Sequence, residues 1–366
     1  MANVLRRQLK ASIDTCRPLG KTLACHLKLV SKTWRSNNAW HLPQTAGMNL
    51  QDEALVDGSR DGRLVFVLAG QSNMAGRAAL PSTAAADTTS TIRNFHQEED
   101  IWQDACEPLH ADKPAPKPGM GPGLHFAREL IRMDDIAASC GIGLIPCAVG
   151  GSELARWEED GDLRRETLRR VQLALEQDRT SRLAGILWHQ GESDAADTRD
   201  ATVAVSFSED SCRQHVKTEF ASRLISCLAS LRASLYRIAS LRDAASVGTN
   251  ESEALPIITG ELGYFLLEHG DEDHRFCLAR SINDGIIQAA SAIPCCDVVS
   301  AHGLGHRGDR LHFDGPAVEE MGARYALAWM DLARAGNTRP TLPLGFPVMS
   351  ATPSSNRGAD LPTVID

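Results

Sequence analysis

Short apolar runs alternate with longer amphipathic stretches along this chain, and this alternation restricts the possible folds more than any other feature. Five runs have the pattern of buried parallel strands, at residues 63–69, 142–149, 183–189, 256–262 and 296–301. Five segments place apolar residues three and four apart, as amphipathic helices do, at residues 123–133, 163–177, 219–236, 275–290 and 316–335. The pattern therefore predicts an α/β fold with an open, parallel, five-stranded sheet covered by helices on both faces.

The connection at residues 75–121 is unusually long for a compact domain. Its proline-rich run, residues 113–118, excludes a single helix across it. Loops of more than about 15 residues are usually functional or disordered. This one leaves the end of a predicted strand, where open α/β sheets bind their ligands. We predict that it is irregular and forms one wall of a binding cleft.

Charge and hydropathy exclude several classes of function. The net charge of −9 gives no electrostatic footprint for nucleic acid. No run reaches the roughly 18 uninterrupted apolar residues that a membrane-spanning helix needs. The ten cysteines have irregular spacing, which fits neither a disulfide framework nor a zinc site and favours a reducing compartment. We therefore expect no nucleic-acid partner and no membrane span.

The two ends of the chain differ in composition from its middle. Residues 1–50 contain eight Lys or Arg and one acid, which is typical of a disordered basic tail or of an organelle transit peptide. The sequence predicts a basic extension at 1–57, one α/β domain at 58–336 and a tail containing proline and serine at 337–366. It favours a cytoplasmic location, with an organelle, reached through the basic segment, as the alternative.

A serine follows the first predicted strand in a position suited to chemistry. Gly70 ends the strand and Ser72 comes two residues later, so the serine hydroxyl and backbone N–H face the cleft at the strand ends. Ser72 could instead be a helix cap, which is a common role for serine after a strand. The spacing differs from the GxSxG elbow of the α/β-hydrolases, so their fold is disfavoured.

The second and third predicted strands also end in glycines or polar residues. Gly150 and Gly151 allow backbone N–H groups to approach a ligand without interference from a side chain. After the third strand, Gln190 could donate its amide N–H to an oxyanion. His189 and Glu192 are candidates for a base, an orienting acid or a metal ligand.

A candidate acid and base follow the last predicted strand. Asp309 precedes His312 by three residues, so its carboxylate could bond Nδ1 of the imidazole and leave Nε2 to face a serine. Glu192 remains the alternative orienting acid. His302 and His306 have the spacing of helical metal ligands, but the glycines beside them disfavour a helix, and we predict no metal site.

Together these blocks resemble the SGNH (GDSL-like) hydrolase superfamily, in particular the branch containing carbohydrate esterase family 6 and the sialic-acid O-acetylesterase (SASA) domain. The resemblance covers about residues 63–335, roughly three quarters of the chain. It implies a flavodoxin-like, three-layer α/β/α fold. It also implies that Ser72 is the nucleophile, His312 the base and Asp309 the acid.

The resemblance further implies an oxyanion hole and an activity. Its donors would be the backbone N–H groups of Ser72 and of Gly150 or Gly151, with the Gln190 amide in place of the asparagine of the superfamily. The implied enzyme is a serine esterase that removes O-acetyl groups from a carbohydrate and needs neither metal nor organic cofactor. Beside Asp309, we expect the base to have a raised pKa.

Two alternatives to this function stay open at the level of sequence. One is a non-catalytic carbohydrate-binding protein that keeps the fold. The other is an esterase for short acyl chains or lipids, which would need a long apolar groove. The alcohol of the substrate and the oligomeric state are not determined by the sequence.

Overall fold

The computed structural model describes residues 62–80, 91–113, 119–196, 209–242, 255–267 and 276–335. The predicted basic extension at 1–57 and the predicted tail at 337–366 lie outside the described residues. All of the described residues belong to the predicted α/β domain.

Seven strands form one sheet in the order β3-β2-β4-β1-β5-β6-β7. The strands are β1 Leu64–Gly70, β2 Ile92–Phe95, β3 Trp102–Asp104, β4 Ile142–Pro146, β5 Arg182–His189, β6 Ile257–Gly260 and β7 Cys296–Val299. Neighbouring strands are parallel, except that β2 and β3 are antiparallel. The five strands predicted from the sequence are adjacent in the order β4-β1-β5-β6-β7. When these five strands are numbered 1 to 5 in chain order, their order in the sheet is 2-1-3-4-5. This is the flavodoxin-like arrangement, and it confirms the predicted fold class.

The predicted strand count of five was too low, because β2 and β3 lie within the connection predicted to be irregular. These strands have only four and three residues, and no residue of β3 is fully buried. Segments so short show neither a buried apolar run nor a measurable alternation. They extend the sheet beyond β4, where Ile92 pairs with Ile142 and Phe95 of β2 pairs with Trp102 of β3.

Helices cover the sheet on both faces. They are α1 Ser72–Ala75, α2 Pro122–Met133, α3 Asp135–Cys140, α4 Asp162–Gln177, α5 Glu192–Ala195, α6 Glu209–Arg242, α7 Ala279–Ala292 and α8 Gly315–Ala335. The five predicted helices correspond to α2, α4, α6, α7 and α8, of which α6 extends well beyond its predicted range of 219–236. The three short helices were not predicted.

Side chains of the central strands show how the three layers pack. Phe66 of β1 contacts Phe126 of α2 and Trp329 of α8, with edge-on rings whose centroids are 4.8 and 5.4 Å apart. Trp188 of β5 pairs with Ala69 of β1, whose side chain points to the face of the sheet opposite Phe66. On that opposite face, Trp188 packs against Trp157, which lies just before α4. The sheet is therefore the middle layer between α2 with α8 and the helices that follow β4 and β5.

Local sequence signals fix where several helices begin. Pro122 occupies the first turn of α2, where its missing N–H leaves no helical hydrogen bond unmade. The Asp134 carboxylate caps α3 by accepting the N–H groups of Ile136 and Ala137 at 2.9 and 3.0 Å. Asp314 caps α8 in the same way, since its Oδ1 accepts the N–H of Ala317 at 3.0 Å.

Helix α6 combines unusual length with an apolar composition. Among the described residues, its stretch Arg213–Leu241 is long and apolar enough to meet the criteria for a membrane-spanning helix. One face of the stretch belongs to the core, where Phe220, Leu224, Leu228 and Leu231 are buried. A core helix passes the same test of length and composition, so the stretch is weak evidence for a span.

Candidate active site

Ser72 lies at the start of α1, immediately after the central strand β1. Gly70 ends the strand with φ of +125°, and a Cβ atom there would lie only 2.0 Å from the carbonyl oxygen of His189. The N–H of Gln71 donates to that same carbonyl at 2.8 Å. Only glycine permits this close approach of β1 to β5, and it directs the next residues out of the sheet. Ser72 is thereby held at the carboxyl edge of the sheet, 5% exposed.

The structure brings Ser72, His312 and Asp309 into one chain of contacts. Nε2 of His312 lies 3.0 Å from Oγ of Ser72, and Nδ1 lies 2.8 Å from Oδ2 of Asp309. The other carboxylate oxygen accepts the backbone N–H groups of Leu311 and His312 at 3.0 and 2.9 Å. Arg310 adopts a left-handed φ of +55° in this turn. Carboxylate and imidazole are therefore oriented within one short loop before α8.

Burial decides the direction of the pKa shift of His312. Desolvation lowers the pKa of the imidazole below its usual value, and the hydrogen bond and charge of Asp309 oppose this effect without cancelling it. The expectation of a raised pKa was therefore wrong, because the sequence shows the acid beside the base but not the desolvation. Partial burial opposes ionisation of Asp309, yet the hydrogen bonds from His312 hold its pKa below the usual range.

One predicted backbone donor of the oxyanion hole is bonded elsewhere. The N–H of Gly150 donates to Oδ2 of Asp112 at 2.7 Å, so it does not point freely into the cleft. Gly151, with a left-handed φ of +74°, lines the cleft, and its N–H finds no acceptor among the described residues. The N–H of Ser72 belongs to the first turn of a helix, where backbone donors have no intrahelical partner.

The predicted side-chain donor Gln190 is also bonded elsewhere. It is completely buried, and its Nε2 donates to the carbonyl of Ser152 at 3.2 Å and to the carboxylate of Asp194. Gln190 is not among the residues that line the cleft. In this structure the Gln190 amide therefore ties the loop after β5 to the loop after β4, and its role as an oxyanion donor stays a prediction.

Glu192, the alternative acid, contacts neither nitrogen of His312. Its Oε1 accepts a hydrogen bond from Nδ2 of Asn73 and lies 3.6 Å from Nε2 of His189. The residue is 1% exposed, and this burial raises the pKa of its carboxyl to about 7. Of the two candidate acids, the structure places Asp309 against the imidazole.

Sequence reasoning missed an ion pair beneath the cleft. Arg77 and Asp112 are paired at 2.6 Å, and their side chains are 4% and 0% exposed. Burial opposes ionisation of Asp112, but hydrogen bonds from Arg77 and Gly150 hold its pKa below the usual range. Both residues lie at the ends of the connection predicted to be irregular, and no spacing in the sequence pairs them.

Gln71 is a second residue of the site that sequence reasoning did not single out. Its Oε1 accepts the N–H of Ser193 at 3.2 Å and lies 3.5 Å from the N–H of Gly191. The side chain lines the cleft, and both of these contacts with described residues use its oxygen, not its amide nitrogen. Its place between Gly70 and Ser72 in the nucleophile block was the signal that could have identified it.

A cleft of about 440 Å³ opens in front of Ser72 and His312. Residues from the segments that follow β1, β3, β4, β5, β6 and β7 line it, as expected where parallel strands end at one edge of a sheet. Most of the residues that line it are polar or charged, including Gln71, Arg77, Lys113, Glu153, Glu192, Ser193, Arg307 and Asp309, while Ala196, Phe276 and Leu311 are apolar and Gly151 adds backbone.

His302 and His306 are not brought into a metal-ligand cluster. Their rings pack edge-on against Tyr264 and Phe265, at centroid distances of 5.3 and 5.2 Å. Within the described part of the chain, no group of three or more His, Cys, Asp or Glu side chains is arranged to hold a metal ion.

Comparisons with known sequences find a matching family. The sequence profile of a family described as "Carbohydrate esterase, sialic acid-specific acetylesterase" (SASA) matches residues 62–235 and 238–331. A probable carbohydrate esterase from Arabidopsis thaliana is 35% identical over 156 residues, which are 37% of this chain and 56% of that protein. The chain thus matches little more than half the length of this curated relative.

A solved structure shares the fold. The crystal structure of an Arabidopsis thaliana protein aligns with a TM-score of 0.54 and 22% identity, over 74% of this chain and 98% of that one. A carbohydrate acetylesterase from Xanthomonas citri aligns with a lower TM-score of 0.49 and 19% identity, over 74% of this chain and 56% of that one. Because the family profile matches well over half of its length, the chain belongs to the SASA family of carbohydrate esterases.

Proposed function

We propose that the protein is a serine esterase that removes O-acetyl groups from a carbohydrate. Ser72 is the nucleophile, His312 the general base and Asp309 the acid that orients it. The observation that carries the proposal is the unbroken chain of contacts from Asp309 through His312 to Ser72, at 2.8 and 3.0 Å. Membership of the carbohydrate esterase family supports the class of substrate.

The geometry supports a two-step reaction through an acyl-enzyme. Neutral His312 accepts the proton of Ser72 at Nε2 while Oγ attacks the acetyl carbonyl. As the tetrahedral intermediate collapses, the sugar oxygen leaves and takes that proton from the imidazolium. Water then attacks the acetyl-serine with His312 again as the base, and acetate departs as the Ser72 hydroxyl is restored.

For the oxyanion hole we propose a donor set that differs from the one predicted by sequence. Its backbone donors are the N–H groups of Ser72 and Gly151, two residues that line the cleft, whereas the N–H of Gly150 donates to Asp112. Gln71 takes the role first given to Gln190, because its oxygen is held by Ser193 and its amide nitrogen is left for the ligand. Each such donor typically contributes about 10²- to 10³-fold to turnover.

The lining of the cleft favours a polar substrate over a long acyl chain. Its charged groups include Arg77, Lys113, Glu153 and Arg307, and its apolar members are too few for an alkyl groove. A volume of about 440 Å³ is within the range of sites for small molecules. An acetylated sugar, with many hydroxyls and a short acyl group, matches such a lining.

Hydrolysis assays separate this function from its two rivals. We expect turnover of p-nitrophenyl acetate to exceed that of the butyrate and octanoate esters, with acetate released from at least one acetylated glycan. The Ser72→Ala variant should lose this activity and remain folded. Preference for octanoate would indicate a lipid esterase, and glycan binding without turnover would indicate a non-catalytic binding protein. A Ser72→Ala variant with native turnover would contradict the assigned nucleophile.

A further inference from the structure

Asn73, the residue after the nucleophile, bonds to both chain neighbours of His312. Its Nδ2 donates to the carbonyl of Leu311 at 3.2 Å, and its Oδ1 accepts the N–H of Phe313 at 3.2 Å. Asn73 is 2% exposed, so water competes little for these groups. One carboxamide therefore joins the start of α1, which carries Ser72, to the loop that carries His312.

Glu192 determines which way this carboxamide faces. Its Oε1 accepts the second N–H of Asn73. A reversed amide would place Oδ1 against this oxygen and would also mismatch the carbonyl of Leu311 and the N–H of Phe313. Glu192 thus fixes the one orientation of Asn73 that satisfies the backbone on both sides of His312.

The tip of the loop held in this way is also anchored by Nη1 of Arg307, which donates to the carbonyl of Arg77 at 2.5 Å, and by Nδ1 of His306, which accepts the N–H groups of Gly308 and Arg310. Residues 307–310 are exposed, and Gly308 has open space around its Cα. Its remaining anchors include the N–H of Arg307, which donates to the carbonyl of His312 at 2.9 Å, and the Phe313 ring packed on Phe265. The distance between Nε2 of His312 and Oγ of Ser72 depends on where this loop is held.

We propose that Asn73 and Glu192 are positioning residues that set the contact between His312 and Ser72, an inference that rests on the proposed esterase function. Asn73 acts on the backbone of the base, and Glu192 acts through Asn73. Neither residue exchanges a proton with the substrate. A shift of about 1 Å between reacting groups can lower a rate by about 10²-fold, which sets the scale of the expected effect.

A double-mutant cycle with His312 tests the proposal. We expect Asn73→Ala to lower kcat for p-nitrophenyl acetate by about 10- to 100-fold in the native protein, with a smaller change in KM. In the His312→Ala background the same change should alter the acylation rate of Ser72 by less than about 2-fold, because no base remains to be positioned. An equal loss in both backgrounds would overturn the proposal.

A buried asparagine elsewhere gives the matched control. Asn283 is 4% exposed and also bonds backbone groups at both ends of its amide, at 2.7 Å from the N–H and 3.1 Å from the carbonyl of Leu262. Asn283→Ala removes equivalent hydrogen bonds outside the residues that line the cleft. It should change kcat by the same small factor in both backgrounds, whereas coupling to His312 as strong as that of Asn73 would contradict a specific positioning role.

Conservative variants cover the case in which Asn73→Ala does not fold. Asn73→Ser keeps a small polar group, and Glu192→Gln keeps an oxygen that accepts from Asn73, whereas Glu192→Ala does not. We expect Glu192→Gln to retain at least about 10-fold more activity than Glu192→Ala, and Asn73→Ser to couple to His312 as Asn73→Ala does. Equal losses of activity in the two Glu192 variants would overturn the positioning role of Glu192. Native activity of His312→Ala would instead contradict the proposed function itself.

Discussion

The carboxylate of Asp112 pairs with the guanidinium of Arg77 at 2.6 Å and at the same time accepts the backbone N–H of Gly150. Arg77 also donates to the carbonyl of Gly76 at 2.7 Å. The pair therefore links the chain after the nucleophile helix to the loop that follows β4. Two sides of the cleft are held together by a charge pair that is almost completely buried.

Breaking this pair should destabilise the fold. We expect Arg77→Ala to lower the free energy of unfolding by about 3 to 5 kcal/mol, because it leaves the Asp112 carboxylate buried without its partner. The matched control is Arg156→Ala, whose pair with Asp162 has the same 2.6 Å separation but side chains 43% and 52% exposed. That change should cost less than about 1 kcal/mol. Urea titrations measure both values, and equal losses would contradict the role of burial.

The identity of the orienting acid can be tested with two isosteric variants. Asp309→Asn should lower kcat by about 10⁴-fold, because the amide no longer holds the imidazole in the reactive tautomer. Glu192→Gln should have a much smaller effect, since its carboxylate lies against Asn73. Steady-state kinetics on p-nitrophenyl acetate measure both. The assignment of Asp309 is wrong if Glu192→Gln shows the larger loss of kcat.

The pKa of His312 predicts the acid limb of the pH profile. Only the neutral imidazole accepts the proton of Ser72, so activity falls as pH drops through this pKa. Burial lowers it, and the charges of Arg77 and Arg307 act in the same direction. The midpoint of kcat/KM should therefore lie below the ordinary histidine value of about 6.5. A midpoint above that value would show that the Asp309 charge outweighs desolvation.

A pair of glutamine variants tests the proposed oxyanion hole. We expect Gln71→Ala to lower kcat by about 10²- to 10³-fold with the fold intact, because a donor to the oxyanion is lost. Gln190→Ala should instead act on stability, since its amide bonds Ser152 and Asp194. Thermal melts and single-turnover rates separate the two effects. The reverse pattern would restore the original assignment of Gln190.

Burial of Glu192 predicts a pH-dependent contribution to stability. Its folded pKa of about 7 exceeds the ordinary value of 4.5, so the folded state holds the proton more tightly than the unfolded state. This contribution is fully present below about pH 4.5 and is lost as pH rises through about 7. Relative to Glu192→Gln, the native protein should lose up to about 3 kcal/mol of unfolding free energy between pH 5 and 8. Parallel stability curves would contradict this shift.

The positions of Ser72, Asp309 and His312 could be predicted because Ser72 follows the buried strand β1, because Asp309 and His312 stand three residues apart after β7, and because the blocks resemble a known family. The partners of Gly150 and Gln190 could not be predicted in the same way. Asp112 lies in a connection without a readable pattern, and Asp194 comes four residues after Gln190, where sequence alone does not show a contact. The pKa of His312 depends on how the surrounding loops exclude water, which only the packed structure contains.

The strands at the two edges of the sheet have a consequence for the protein in concentrated solution. β3 contains three residues and β7 contains four, and the carboxylates of Asp104 and Asp297 lie on these strands. Short, charged edges offer few unpaired backbone groups to the sheet of another molecule. Within the described residues, the sheet is therefore poorly suited to edge-to-edge aggregation, and β3, one of the two short strands that sequence analysis overlooked, provides one of its protected edges.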